Sequence, residues 1–532
     1  MSSAAAIPLL GLAPGLRWPD AVVVVAYLAA MLAVGGFFKW RERRGDAEEF
    51  LLAGRGLPWW LISVASFMTL ISTSSLVSIP GEAYAHGVGL AFRSLIGPVL
   101  GIPVFYLCIR FFFRAGVYTP FSYLERRFDP RVRAVGSLAY VVIRLLYLAV
   151  TLYAAAKVFE GIAGWPVAQS VVVVGGVGLC YVLLGGMKAV VWADFLQFFL
   201  LVGGLVLIAV VCMTRTGLGF GEIWNYASAE GRGVEFSSGS DFLSWSPYAR
   251  VSLWLILFSA LTDRLFYLSA DQMAVQRLLT ARSYRAAERS NIAAMLLQVP
   301  VMLFVWFVGI AVYVFYSSQM PADQRPPGDA ALFQFVATQL PPLGAGLFVA
   351  ACLGAVMSTL DAGFHSLATV YVKDIHLMQV RPGLSEADQV RLTRRMILVV
   401  GAATMAGALF IGYTSAAISG SFMEAQVFWI AFQGILAMWF LIGVASTRAT
   451  GGDVLRAFAL AAVVTLATTA WYIHSRTTDR PVSFLFVAVP GEVTMLVAGL
   501  LPSLWRRRPP GASLDNLTLH TLEPKPAGSG RP

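Results

Sequence analysis

The sequence predicts an all-α polytopic membrane protein of about thirteen transmembrane helices, and three observations predict it. Of its 532 residues 58% are hydrophobic and only 13% are charged, and the mean hydropathy is +0.72. Stretches of roughly 20 apolar residues recur along the chain, each long enough to cross a bilayer as a helix. Lysine and arginine cluster in the short segments between them, so the formal charge of +10 reports membrane topology and gives no reason to expect a nucleic-acid partner. The 4 cysteines all lie inside apolar runs without a CxxC pattern, and no HExxH occurs, so no metal enzyme is expected. The first residues carry no basic n-region, and a cleaved signal peptide is not expected either.

The first span, 20–38, runs into the basic loop Lys39-Trp-Arg-Glu-Arg-Arg44. The second, 57–79, is crowded at its centre with hydroxyls from Thr69 to Ser78 and closed by Pro80-Gly81. Hydroxyl and β-branched residues ahead of a proline disfavour a continuous helix. A break there would free backbone carbonyls, which are tolerated at membrane depth only where they line a cavity. The alternative is a polar helix merely kinked by proline. A third span covers 88–113 with Arg93 near its start, and a basic loop follows to Arg133. Spans at 134–159, 167–187 and 189–213 come next, then a polar, Gly/Ser-rich stretch, 214–249, that reads as an exposed loop.

The seventh span, 251–275, holds Asp263-Arg264 well inside its apolar run. Six more follow, at 291–316, 343–372, 396–413, 422–444, 454–473 and 482–501, and the Pro/Gly-rich tail after Arg506 is expected to be disordered. Spans two to six and seven to eleven form two sets of five. Each begins with a helix carrying polar residues at its centre, Thr69–Ser75 in one and Thr262–Arg264 in the other. Corresponding interruptions in two halves are the best sequence pointer to a transport site between inverted repeats. The organisation is therefore a flank (1–56), a first repeat (57–213), a loop (214–249), a second repeat (250–447), two flanking helices (448–504) and a tail (505–532). Basic loops after spans one, three, seven, nine and thirteen place the amino terminus outside the cell membrane and the carboxyl terminus in the cytoplasm.

The span at 343–372 is the most informative. Ala355, Ser358, Thr359, Ala362, Ser366 and Thr369 fall in one small, polar stripe of a helix, and Asp361 reaches the same side. Small residues alone suit a close helix–helix seam. A carboxylate inside a membrane is a functional feature, and hydroxyl and carboxylate oxygens suit a hard cation.

Four blocks then resemble the sodium/solute symporter family: Ile71-Ser-Thr-Ser-Ser-Leu-Val-Ser-Ile-Pro-Gly-Glu-Ala-Tyr84, Gly185-Gly-Met-Lys-Ala-Val-Val-Trp-Ala-Asp194, Asp271-Gln-Met-Ala-Val-Gln-Arg277 and Ser358-Thr-Leu-Asp-Ala-Gly-Phe-His-Ser366. The resemblance implies a LeuT-type core of five plus five inverted helices that imports a small solute with sodium by alternating access. It places the principal sodium site on the carbonyls of Met68, Ile71 and Ala355 and the hydroxyls of Ser358 and Thr359. In some members a second sodium sits near the position of Asp194, with two serines where this chain has Asp361 and Ala362. Asp361 then either strengthens a second site with Asp194 and Ser358, or titrates, or pairs with His365. Tyr267 matches the aromatic gate under the substrate, and Ser75 a substrate contact. Glu424 lies near a third substrate position. Arg264 stands where a sugar carrier has asparagine, and Leu297 where sugar members have lysine, so both departures count against a sugar.

An arginine at mid-span costs about 2.5–3.5 kcal/mol on insertion scales, so Arg264 and Arg144 must face a cavity or a partner. A carboxylate substrate would take the Arg264 fork bidentately. The expected function is sodium-coupled import of a small organic anion such as a monocarboxylate. The rival readings are a proton-coupled carrier or a solute sensor of transporter-like fold.

Overall fold

The computed structural model describes residues 17–41, 47–71, 73–233, 241–414, 427–506 and 514–521. Helix α1 (Trp18–Arg41) leads to the short α2 (Ala47–Leu52), then α3 (Trp59–Leu70) and α4 (Thr73–His86). After them come α5 (Ala91–Ala115), α6 (Pro120–Arg127), α7 (Pro130–Ala163), α8 (Val167–Thr216) and α9 (Phe220–Ala229). The second half has α10 (Leu253–Ser269), α11 (Gln272–Leu279), α12 (Tyr284–Gln319), α13 (Gly328–Gln339), α14 (Gly344–Val370), α15 (Glu386–Thr414) and α16 (Val427–Ala445). Helices α17 (Gly451–Ser475) and α18 (Ala488–Trp505) close the chain.

Nine described helices are long and apolar enough to cross a membrane, and two bent pairs bring the total to 11. Helix α8 enters that total once, although 50 residues of helix would extend about 75 Å across a hydrocarbon core of about 30 Å. Gly186, at φ 56° and ψ −159°, breaks it into two spans. Only glycine adopts that backbone freely. With α16, 19 residues long, the spans match the number read from hydropathy.

Both repeats open on a broken helix. The axes of Trp59–Leu70 and Ser75–His86 differ by 57°, and Ile71 between them is extended at φ −107° and ψ 119°. The break falls where the hydroxyl run predicts it. In the second repeat α10 and α11 differ by 53°, but the break is at Ala270–Asp271 and not at Thr262–Arg264, which lie inside continuous α10. Polar side chains facing a cavity do not interrupt a helix; a competing cap does. Asp271 is that cap, accepting the Met273 N–H at 3.1 Å and starting α11.

Helix α14 is buried on nearly all sides, between α8, α7, α15 and α1. Asp20 of α1 ties into it by accepting the Gly346 N–H at 3.0 Å. Two expectations about loops need correction. The 214–249 stretch contains α9, whose Ile223 and Ala227, one turn apart, are buried. Part of the tail is also ordered, since residues 514–521 lie against α6 with Tyr123 donating to the Leu517 carbonyl at 2.7 Å.

Candidate functional site

The two breaks and α14 frame the site. The carbonyls of residues 67–70 end a helix, so they have no following i+4 amide to accept from. The Ile71 N–H turns back to the Met68 carbonyl at 3.2 Å. Helix α14 packs on both α3 and α4 and presents Ala355, Ser358 and Thr359, all fully buried. Thr359 donates to the Ala355 carbonyl at 3.1 Å, whereas the Ser358 hydroxyl makes no hydrogen bond of ordinary geometry and stands within reach of Asp194. Oxygen donors without protons to satisfy them fit a hard monovalent cation better than a dry seam.

Behind Ser358 stands Asp194 of α8. Sequence reasoning gave Arg277 no role, yet its Nη2 and Nε hold Asp194 Oδ2 at 2.7 and 3.2 Å. Both side chains are 0% exposed. Asp194 Oδ1 remains without a partner. Asp361, also fully buried, accepts its neighbour's Ala362 N–H on Oδ1 at 2.5 Å, and its Oδ2 has no partner. Asp194 and Asp361 both lie close to the Tyr27 hydroxyl. The proposed pairing of Asp361 with His365 does not form. His365 contacts the Phe50 carbonyl through Nε2 at 3.0 Å and Gln276 through Nδ1 at 3.1 Å, which uses both ring nitrogens.

Ser75, Arg144, Arg264 and Tyr267 line one cavity of about 200 Å³ between the broken helices. Glu424 lies outside the described residues. Tyr267 donates to the Ser66 carbonyl at 2.9 Å, which ties α10 to α3 beneath the cavity. The two arginines differ in kind. Arg144 forms a buried ion pair with Asp271, and its guanidinium also sits 4.9 Å from the Phe266 ring centre. Tyr140 donates to the other Asp271 oxygen at 3.1 Å, so Arg144 is neutralised within the protein. Arg264 is only 5% exposed, and its closest carboxylate oxygen is on Asp263, 3.9 Å from Nε. Asp263 is shared with Arg93 at 3.5 Å. The Arg264 Nε has no hydrogen-bond partner. Gly97 of α5 makes room for the guanidinium, since a Cβ there would sit 3.1 Å from Nη2. Three arginines against two aspartates leave this cavity with one excess positive charge among its described lining residues.

A cavity between two broken helices, with buried hydroxyl and carboxylate oxygens on the neighbouring α14 and α8, is the arrangement of a secondary transporter built on inverted repeats. A sequence model of the sodium:solute symporter family matches residues 50–450. The chain belongs to that family: it is a multi-pass membrane transporter with a LeuT-type core, not an enzyme, and sodium is its coupling ion. It is 26% identical to the sodium/sialic acid symporter SiaT of Proteus mirabilis, over 90% of this chain and 93% of that protein. It is 27% identical to the sodium-dependent multivitamin transporter of Oryctolagus cuniculus, over 95% of this chain and 85% of that protein. Its fold superposes on a substrate-bound, outward-open sodium-coupled sialic acid symporter with a TM-score of 0.81 at 24% identity, covering 92% of this chain and 98% of the other.

Proposed function

We propose that this transporter imports a small organic anion, such as a monocarboxylate, together with sodium. Arg264 carries this reading, because it is a buried guanidinium that lines the cavity, its Nε makes no hydrogen bond, and its carboxylate neighbour Asp263 stands 3.9 Å away. The relative named above for sialic acid has an acid as its solute, which supports an anion. Neither the proton-coupled nor the sensor alternative is favoured by membership of a sodium-coupled family. A thermal-shift screen of the purified protein against carboxylates, amino acids and neutral sugars, with and without sodium, tests the solute class. Stabilisation by carboxylates that needs sodium is expected.

In this reading the amino terminus is outside, and external sodium binds first on Met68, Ile71, Ala355, Ser358 and Thr359. It ties the broken α3/α4 helix to α14 and so completes the cavity, after which rocking of the repeats exposes both solutes to the cytoplasm. At about 100 mV one sodium supplies about 2.3 kcal/mol, and a tenfold gradient adds roughly 1.4. That supports accumulation of about several hundred-fold. Ser358→Ala and Thr359→Ala should each raise the sodium concentration for half-maximal uptake, while the amount of protein in the membrane stays near normal. Unchanged sodium dependence in both would remove the assignment.

A second sodium is proposed on Asp194 Oδ1, Ser358 and Asp361, the oxygens that lack a hydrogen bond of ordinary geometry in the protein. Asp361→Asn should lower the Hill coefficient for sodium toward one without perturbing the Arg277 pair. A wild-type coefficient already at one would end the proposal. A shifted pH optimum with sodium affinity intact would mean that Asp361 titrates instead.

A further inference from the structure

We infer that Glu492 is a binding site for a small monovalent cation, a proton or sodium, behind the solute cavity. Glu492 lies on α18, outside the five-plus-five core, one turn beyond Ala488, which lines the cavity. It is 1% exposed, and neither of its carboxylate oxygens makes a hydrogen bond of ordinary geometry, the Thr262 hydroxyl being the donor within reach. The space is built for it on the α16 side, where any side chain at Gly434 would overlap the carboxylate.

The groups around it explain what it takes. From α10 it is faced by the Thr262 hydroxyl and by Asp263, the charged neighbour. The Thr262 hydroxyl lies 3.3 Å from the Ser259 carbonyl as a donor and within reach of Glu492, and its oxygen lone pairs can ligate. Helix α16 offers Gly434 and helix α17 offers Thr465 beside Gly491, and neither titrates. No arginine, lysine or histidine faces Glu492 among the described residues. An isolated carboxylate cannot stay ionised in such surroundings without a counter-ion. A proton needs one oxygen of Glu492; sodium would use the carboxylate with the Thr262 hydroxyl.

Thr262, Asp263 and Arg264 are consecutive on α10, which connects this site to the cavity. Loading Glu492 with a cation removes a negative charge from the wall behind Arg264. The cavity then becomes a better host for an anion. This last consequence rests on the anion reading; the cation site itself does not.

The test uses purified full-length wild type and Glu492→Gln without solute. Melting temperature is followed from about pH 5 to 8 in sodium-free choline buffer, and against sodium at one pH. A proton held by the folded state alone makes stability fall as pH rises, so wild type should lose more stability across that series than Glu492→Gln, in which Asp361 and the other carboxylates still titrate. If sodium is the ligand, Glu492→Gln instead loses part of the sodium response. Ser358→Ala should leave the Glu492 response in place, which separates this site from the principal one. Both series unchanged in Glu492→Gln would overturn the proposal. Should that variant fail to fold, Glu492→Asp keeps the charge but withdraws it by one methylene, and the cation midpoint should move by about tenfold. A Glu492→Asp midpoint equal to wild type would overturn it equally.

Discussion

Arg277→Met should leave little folded transporter in the membrane. Arg277 and Asp194 are both fully buried and joined by two hydrogen bonds, at 2.7 and 3.2 Å. Removing the arginine strands a carboxylate between α8 and α14, and breaking one side of such a pair costs about 3–5 kcal/mol. Domains of ordinary stability hold only about 5–15 kcal/mol in total, so the loss is a large share. Removing the other partner as well should recover much of it. The double variant Arg277→Met with Asp194→Asn is therefore expected to melt above the single Arg277→Met variant. The measurement is the monodisperse fraction and melting temperature in detergent for wild type, each single variant and the double. A single variant as stable as wild type would show that the pair does not hold α8 and α11 together. Sodium binding discriminates further: the double variant should fold and bind at the principal site, yet lack a second sodium.

The pair also shows where sequence reading stops. Asp194 and Arg277 stand 83 residues apart, and each belongs to a block quoted as a motif, but nothing local says that they meet. Partner choice inside a membrane is tertiary, because a buried arginine must face a cavity or find a partner, and several carboxylates were on offer. Arg144 illustrates the same point. It reads as an anion-binding residue by burial alone, and only the folded chain brings Asp271 to it. The first helix break was legible because hydroxyls and a proline weaken helix locally. The second was misplaced by seven residues or so, because Thr262–Arg264 looks disruptive while the effective cap, Asp271, sits in a less conspicuous stretch. Thr262 is in fact accommodated by donating back to the Ser259 carbonyl. Helix α9 was overlooked inside a polar loop, although Ile223 and Ala227 stand at helical spacing. Glu492 falls at the middle of the 482–501 span read from hydropathy, but a lone acid there, outside the two sets of five, has no motif to give it a role. Only the folded chain shows that, one turn into α18, its carboxylate meets Gly434 and Thr262.

Arg264→Gln should weaken solute binding by about 10- to 150-fold, equivalent to losing one charge-assisted contact of roughly 1.5–3 kcal/mol. Arg264 lines the cavity one turn from Tyr267, with its guanidinium 5.9 Å from that ring centre. Its hold on the protein is loose: Asp263 stands 3.9 Å away and is shared with Arg93, and the Met295 sulfur lies 3.8 Å from Nη1. Truncation therefore strands no well-paired carboxylate, and the folded yield should fall little, in contrast to Arg277→Met. Arg264→Lys should restore only part of the affinity, since an ammonium offers a point charge where the guanidinium offers a planar two-donor fork. Sodium binding measured without solute should change little, because the proposed sodium ligands lie on α3 and α14. A collapse of folded yield in Arg264→Gln would instead mark the residue as half of a structural pair with Asp263. A variant that folds, binds sodium and transports with unaltered affinity would end the anion reading, and a neutral solute such as a sugar would take its place.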